Sequence, residues 1–229
     1  MAKYTENEAK AFIVYIAPII KAEAERRGYK VCSTTIAQSV IEGACGKSKL
    51  ASPPHNNHFG LKAGEKWLKA GKPAVNMKTG EEYTKGKITM INDWFRSYPE
   101  GDESCVAGYY DFIASSRYEN LKTARDFEEF ATYLKKDGYA TSSKYVKTLC
   151  DTVRKYGLFQ YDDISREYFP AVIGYKSIVE ALESLGVDSS FATRKRIYKA
   201  NFTTNYMGTA VQNNRMLTYL HMGKLIKPF

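Results

Sequence analysis

Residues Thr34 to Leu50, TTIAQSVIEGACGKSKL, limit the fold more than any other stretch of this chain. Ile36, Val40 and Ala44 recur at i, i+4 and i+8, and Ala37, Ile41 and Cys45 form a second apolar row beside them. A helix with so little polar circumference has to be enclosed by other elements, so the spacing predicts a core helix with the rest of a domain wrapped round it. Ser33 is placed to cap its first turn, and Gly46 to end it in the left-handed conformation. Glu42 then falls in the last turn, among carbonyl ends, where desolvation and the helix dipole both disfavour its charge. The expectation is a raised pKa and a carboxyl able to act as a general acid; the plainer alternative is a Glu that reaches water from a helix end.

The flanking segments supply the wrapping. A first helix is expected over about Glu6 to Arg27, with Phe12, Tyr15, Ile16, Ile19 and Ile20 on its buried face and Pro18 either kinking or dividing it. Pro53, Pro54, Asn56 and Asn57 predict a turn-rich loop. His55 and His58 lack a third ligand nearby and are given a structural role, with no metal and no cofactor expected. Phe59 and Trp67 are either core plugs or stacking platforms. Lys78 to Tyr98 predicts a small hairpin with turn glycines at Gly80 and Gly86. Glu82 lies on it, forty residues beyond Glu42, either as an ordinary solvated acid or as the second carboxylate of a cleft; Asp93 is a spare candidate. Two carboxyls across a cleft are the minimal equipment for cleaving a glycosidic bond. Helices are expected over about 104–115, 126–137 and 143–156, and again over 177–185, 191–200 and 209–222.

These patterns predict a mainly α (α+β) fold: a helical catalytic domain with a small β-hairpin over residues 1–163, a linker over 164–175, and a small helical module over 176–229. With 229 residues, 44% of them hydrophobic, there is enough apolar material for both cores. The net charge of +9 points to a polyanionic partner, and from Ile164 onward nine Lys/Arg face four Asp/Glu, so the tail holds a surplus of five. Arg194 to Arg196 is either an anion site or a solvated face. The four cysteines have no metal spacing and are expected as buried thiols of a reducing cytoplasm. The longest apolar run, Phe12 to Ile20, is too short to span a membrane, and the acidic start is not that of a signal peptide. No helix-turn-helix, zinc or RNP pattern supports a nucleic-acid partner.

Taken in order, AQSVIEGACGKSKLA, NNHFGLK, EEYTKG, FRSYPEGDES and GYATSSKYVKTL resemble the catalytic domain of family 73 N-acetylglucosaminidases, the peptidoglycan hydrolases related to flagellar and autolysin enzymes. The resemblance runs from about Ala11 to Asp162. It implies a lysozyme-like helical domain with a β element beside the cleft, cutting the β-1,4 bond after N-acetylglucosamine in peptidoglycan glycan strands. It also implies Glu42 as proton donor, Glu82 as second acid with Tyr83 beside it, Tyr139 lining the cleft, and Asn57 and Phe59 at its floor. Glu42 and Glu82 are then the expected catalytic pair, and Asn57, Phe59, Trp67, Tyr83 and Tyr139 the expected substrate-binding residues. Gly43, Ala44 and Cys45 depart from the bulkier residues usual after the acid. The tail resembles a short wall-binding module of clostridial phage endolysins, which implies a protein made in a host cytoplasm and released through holin-made holes. A muramidase or lytic transglycosylase, and a non-catalytic wall-binding protein, are the alternatives.

Overall fold

The computed structural model describes residues 4–84, 87–163, 167–202 and 204–228, and of residues 81–84 and 87–88 the backbone alone. It divides into two compact units, Met1–Ile164 and Ser165–Phe229.

In the first unit, helix α1 (Glu6–Arg26) starts from a capping box, in which Glu8 N–H donates to Thr5 Oγ1 (3.3 Å) and Thr5 N–H to Glu8 Oε2 (2.7 Å). Pro18 neither divides nor ends it. The carbonyl that Pro18 leaves unbonded belongs to Val14, which is 70% exposed and open to water. The buried face is Ala9, Ile13, Ile16, Ala17, Ile20 and Ala24. Tyr15, expected in the core, is 55% exposed and donates to Asp102 Oδ2 (2.8 Å).

Helix α2 (Ser33–Ile41) is the predicted core helix, with every residue from Ser33 to Val40 buried. Helices α1, α5 (Phe127–Lys136) and α6 (Tyr145–Tyr156) pack around it. Its cap differs from expectation. Ser33 lies inside the helix, and the carboxylate of Asp162 closes the end: Oδ1 accepts from the N–H of Cys32 (2.8 Å) and Ser33 (2.7 Å), and Oδ2 from Ser33 Oγ (2.8 Å). A short helix α3 (Glu65–Lys69) precedes an antiparallel hairpin, β1 (Ala74–Thr84) and β2 (Lys87–Arg96). Gly80, expected at a turn, is instead within β1 opposite Met90. Helix α4 (Asp102–Ile113) and a 3₁₀ stretch at Ser116–Thr123 complete the unit. All four cysteines are free and buried.

The second unit holds helices α7 (Ile178–Ser184), α8 (Phe191–Asn201) and α9 (Ala210–His221), each started by a side-chain cap from Ser177, Ser190 or Thr209. Its core includes Ile178, Leu182, Ile197, Tyr198, Met216 and Leu220. The stretch expected as a linker is built into this unit from residue 167 on. Phe169 is buried in the same core, Tyr168 bridges to Ile226, and Lys227 N–H donates to Glu167 O (2.7 Å). The apolar residues Phe169, Val172 and Tyr175 give this segment a reason to pack rather than hang free. Among the described residues no helix is long and apolar enough to cross a membrane.

Candidate active site

Glu42 is the C-cap of α2, its N–H donating to Gln38 O (2.8 Å). The helix cannot continue, because Ala44 (φ 48°), Cys45 (φ 55°) and Gly46 (φ 76°) all take the left-handed region, the first two at a steric cost to their Cβ atoms. This reversal leaves Glu42 projecting where the chain turns away. The loop of residues 55–61 closes beneath it. A Cβ on Gly43 would lie 3.2 Å from His58 O, and one on Gly60 would lie 2.9 Å from Glu42 Oε2. Glycine at both places lets the loop close on the helix end.

Asn57 holds that loop in shape. Its Nδ2 donates to Leu61 O (3.0 Å) and Arg96 O (2.9 Å), and its Oδ1 accepts from the N–H of Phe59 (3.3 Å) and Leu61 (3.0 Å). Phe59 is 1% exposed and packs on Tyr109 at 4.3 Å between ring centroids. Asn57 and Phe59 were expected as substrate contacts at the cleft floor; both are buried, and every polar atom of the Asn57 side chain is engaged within the protein.

Three phenols stand round the acid. Tyr145 on α6 donates to Glu42 Oε1 (3.1 Å). Tyr139 lies nearly parallel to it, 6.1 Å away with 19° between planes, and is fixed by donating to Phe59 O (3.0 Å). Tyr109 on α4 donates to Gln38 Oε1 (2.6 Å). Burial lifts all three phenols far above the usual range, so they remain neutral donors. Burial likewise pushes the Glu42 carboxyl up to about 8, against hydrogen bonds from Tyr145 and Gln38 that lower it. Glu42 as a residue is only partly buried, so the carboxyl is crowded by protein yet not sealed from solvent. An acid protonated at neutral pH and reachable from outside can protonate a leaving oxygen.

The other expected residues lie elsewhere. Glu82 and Tyr83 fall on β1 at the register irregularity between Glu81 and Thr84, near the outer end of the hairpin; their side chains, and Gly86, lie outside the described residues. Trp67 is half-buried, donates to Pro73 O (2.9 Å) and carries the Arg96 guanidinium 4.5 Å from its ring. It reaches the Glu42 surroundings through that guanidinium, which also lies over Phe112, itself 5.9 Å from Tyr139. Asp93 is paired with Lys62 (2.9 Å), whose ammonium holds its carboxyl low, the opposite of what an acid needs. His58 pairs with Asp102 (2.7 Å) and His55 with Ser97 (3.0 Å). Gln38, Tyr109, Tyr145, Gly60 and Asp162 were not singled out from sequence. Gln38 had a signal, being four residues before Glu42 on the same helical face.

The chain is 34% identical over 138 residues to the exo-glucosaminidase LytG of Bacillus subtilis, covering 58% of this chain and 46% of LytG. It is 29% identical over 160 residues to the peptidoglycan hydrolase FlgJ of Pseudomonas aeruginosa, covering 66% and 38%. It thus spans less than half the length of these two curated relatives. Among solved structures, the catalytic domain of the autolysin Auto from Listeria monocytogenes matches with TM-score 0.56 at 25% identity, covering 71% of this chain and 91% of that one. A peptidoglycan hydrolase mutant from Sphingomonas sp. A1 matches with TM-score 0.56 at 29% identity, covering 66% and 96%. These are lysozyme-like glucosaminidase folds, and the helical unit with its hairpin shares their architecture. A model of the glucosaminidase family, described as mannosyl-glycoprotein endo-beta-N-acetylglucosaminidase, matches residues 17–158, well over half the chain, and the chain belongs to that family.

Proposed function

We propose that the chain is a glycoside hydrolase that cuts the β-1,4 bond between N-acetylglucosamine and N-acetylmuramic acid in bacterial peptidoglycan, with Glu42 as proton donor. The observation that carries this is the Glu42 carboxyl, kept protonated to about 8 at a helix end and ringed by neutral phenols. Glu42 protonates the glycosidic oxygen as the bond to the anomeric carbon breaks, and Glu82 on the hairpin serves as base or as stabiliser of the cationic sugar. Tyr139 walls the sugar site, with Tyr83 and Trp67 as outlying contacts.

Glu42→Gln removes the transferable proton at nearly constant volume, so it abolishes wall lysis while the protein stays folded; a folded variant with near-normal lysis would sink the assignment. Borohydride reduction of digestion products followed by mass spectrometry identifies the new end. Reduced N-acetylglucosamine supports the proposal, whereas reduced or anhydro muramic acid moves the enzyme to a muramidase or lytic transglycosylase. Release of single sugars in place of strand fragments would make it exo-acting.

The second unit belongs to the same reading as a wall-binding module, and the whole as an endolysin of a phage that infects clostridial-type hosts. Its basic surplus and the exposed Phe191, Met207 and Val211 support a surface that meets an anionic polymer. Arg194 is less available than its sequence cluster suggested, because it donates to Asn213 Oδ1 (3.1 Å) and Ser189 O (3.0 Å). Delivery through holin-made holes predicts that cells expressing the chain lyse when a membrane pore is co-expressed and survive without one.

A further inference from the structure

Glu42 Oε1 is the end of a line of hydrogen bonds that crosses the core. Thr35 Oγ1 donates to Tyr109 Oη (3.5 Å), Tyr109 Oη to Gln38 Oε1 (2.6 Å), Gln38 Nε2 to Tyr145 Oη (2.8 Å), and Tyr145 Oη to Glu42 Oε1 (3.1 Å). The polarity is fixed by the amide between the two phenols. An amide oxygen only accepts and an amide nitrogen only donates, so Gln38 takes a proton from Tyr109 and offers one to Tyr145. Tyr145, accepting from Gln38, has its single proton left for Glu42. Thr35, Tyr109, Gln38 and Tyr145 are all buried, so water does not compete for the bonds among them.

We propose that Gln38 is a positioning residue which gives the two oxygens of Glu42 different tasks: Oε1 accepts from Tyr145, and the transferable proton is confined to Oε2, on the side of Gly60. The inference rests on the reading of Glu42 as the acid. Gly60 has no Cβ, and one placed there would sit 2.9 Å from Oε2, so the backbone leaves that oxygen its space. On transfer the Oε2–H bond breaks and its proton goes to the glycosidic oxygen, which keeps the electron pair of the bond it loses. Negative charge then appears on Glu42, and the Tyr145 bond to Oε1 strengthens as it does. A Tyr145 phenol facing Gln38 instead would leave Glu42 without that partner and free to hold its proton on either oxygen.

The test uses Gln38→Met, which removes both ends of the amide at similar volume, and Tyr145→Phe, which removes only the hydroxyl. The probe is a soluble oligosaccharide of alternating N-acetylglucosamine and N-acetylmuramic acid. Each folded variant is expected to lose about 10- to 100-fold in kcat, the range for one hydrogen bond to a charged group, with KM little changed. The alkaline limb of the kcat profile is expected to move upward, because the ionised carboxyl has lost a donor. The titratable groups facing Glu42 are the phenols of Tyr109 on α4, Tyr139 before α6 and Tyr145 on α6, all neutral through this range. A role in packing alone gives the opposite sign, since a loosened pocket admits water and returns Glu42 toward an ordinary carboxyl. Unchanged kcat and limb, or a limb that moves down, overturns the proposal, and Tyr145→Phe decides it if Gln38→Met fails to fold. Glu42→Gln is run beside them: if that variant stays active, the acid assignment itself falls, whereas if it is dead while Tyr145→Phe is normal, only the relay falls.

Discussion

The Glu42 carboxyl ties catalysis and stability to the same bound proton. Its folded value of about 8 lies above its ordinary 4.5, so the native state holds a proton that the unfolded chain releases between those values. The resulting stability is complete below about pH 4.5 and declines by up to roughly 1.4 kcal/mol per pH unit until it is lost near pH 8. Glu42→Gln abolishes this dependence. Urea melts at pH 5 and pH 8 are expected to show the variant gaining on the wild type by up to about 3 kcal/mol over that interval. A constant difference between the two proteins would mean that Glu42 is not proton-bound in the native state. A second residue-scale expectation concerns Gly60 and Gly28, which share a left-handed φ of +62° and +76°. Alanine at either costs about 1 to 2 kcal/mol in backbone strain. Only at Gly60 does the new Cβ meet Glu42, as nothing lies within 4 Å at Gly28. Gly28→Ala should therefore lower Tm with kcat intact, and Gly60→Ala should lower both. Equal kcat in the two variants would separate Gly60 from the acid.

At the scale of elements, α2 is where the sequence was most and least informative. Its existence, burial and C-terminal acid follow from local spacing, as do the hairpin and the three tail helices. What closes its N-terminus does not, because Asp162 reaches Ser33 from 129 positions away and nothing local marks it as a partner. Tyr15 on α1 misled for a related reason. Periodicity places it beside apolar neighbours, but the hydroxyl partner that draws it to the surface, Asp102, is on α4. Tyr109 and Tyr145 reach the site in the same way, from helices whose arrangement no short-range pattern states. The hairpin was legible as an element, whereas its register was not, and Gly80 went to a turn because a glycine inside a strand resembles one that ends it. Asp162 also gives an element-scale prediction. Replacing it with Ala removes the acceptor of two backbone N–H groups and a negative charge from the start of the helix that carries Glu42, which is expected to cost about 2 to 3 kcal/mol. For a unit of this size that lowers Tm by roughly 5 to 10 °C in calorimetry. A change below about 1 °C would show the cap to be dispensable.

Asp162 also sets where the molecule can be cut. The first unit needs the chain as far as residues 162 and 163, since Asp162 caps α2 and Asp163 N–H donates to Lys30 O (2.8 Å). The second unit begins its own core at Phe169 and closes through Tyr168 and Ile226, so each core is complete on its own side of residue 165. A protein ending at Ile164 should keep the melting temperature of the first unit and its rate on soluble oligosaccharide, and sediment poorly with intact walls. One ending at Tyr161 should lose both the melting temperature and the rate, because three residues carry the cap of a helix more than a hundred positions earlier. If the shorter protein matches the longer, the cap is not what holds α2. If the longer one sediments with walls as well as the full chain does, wall binding resides in the first unit and the second has another task.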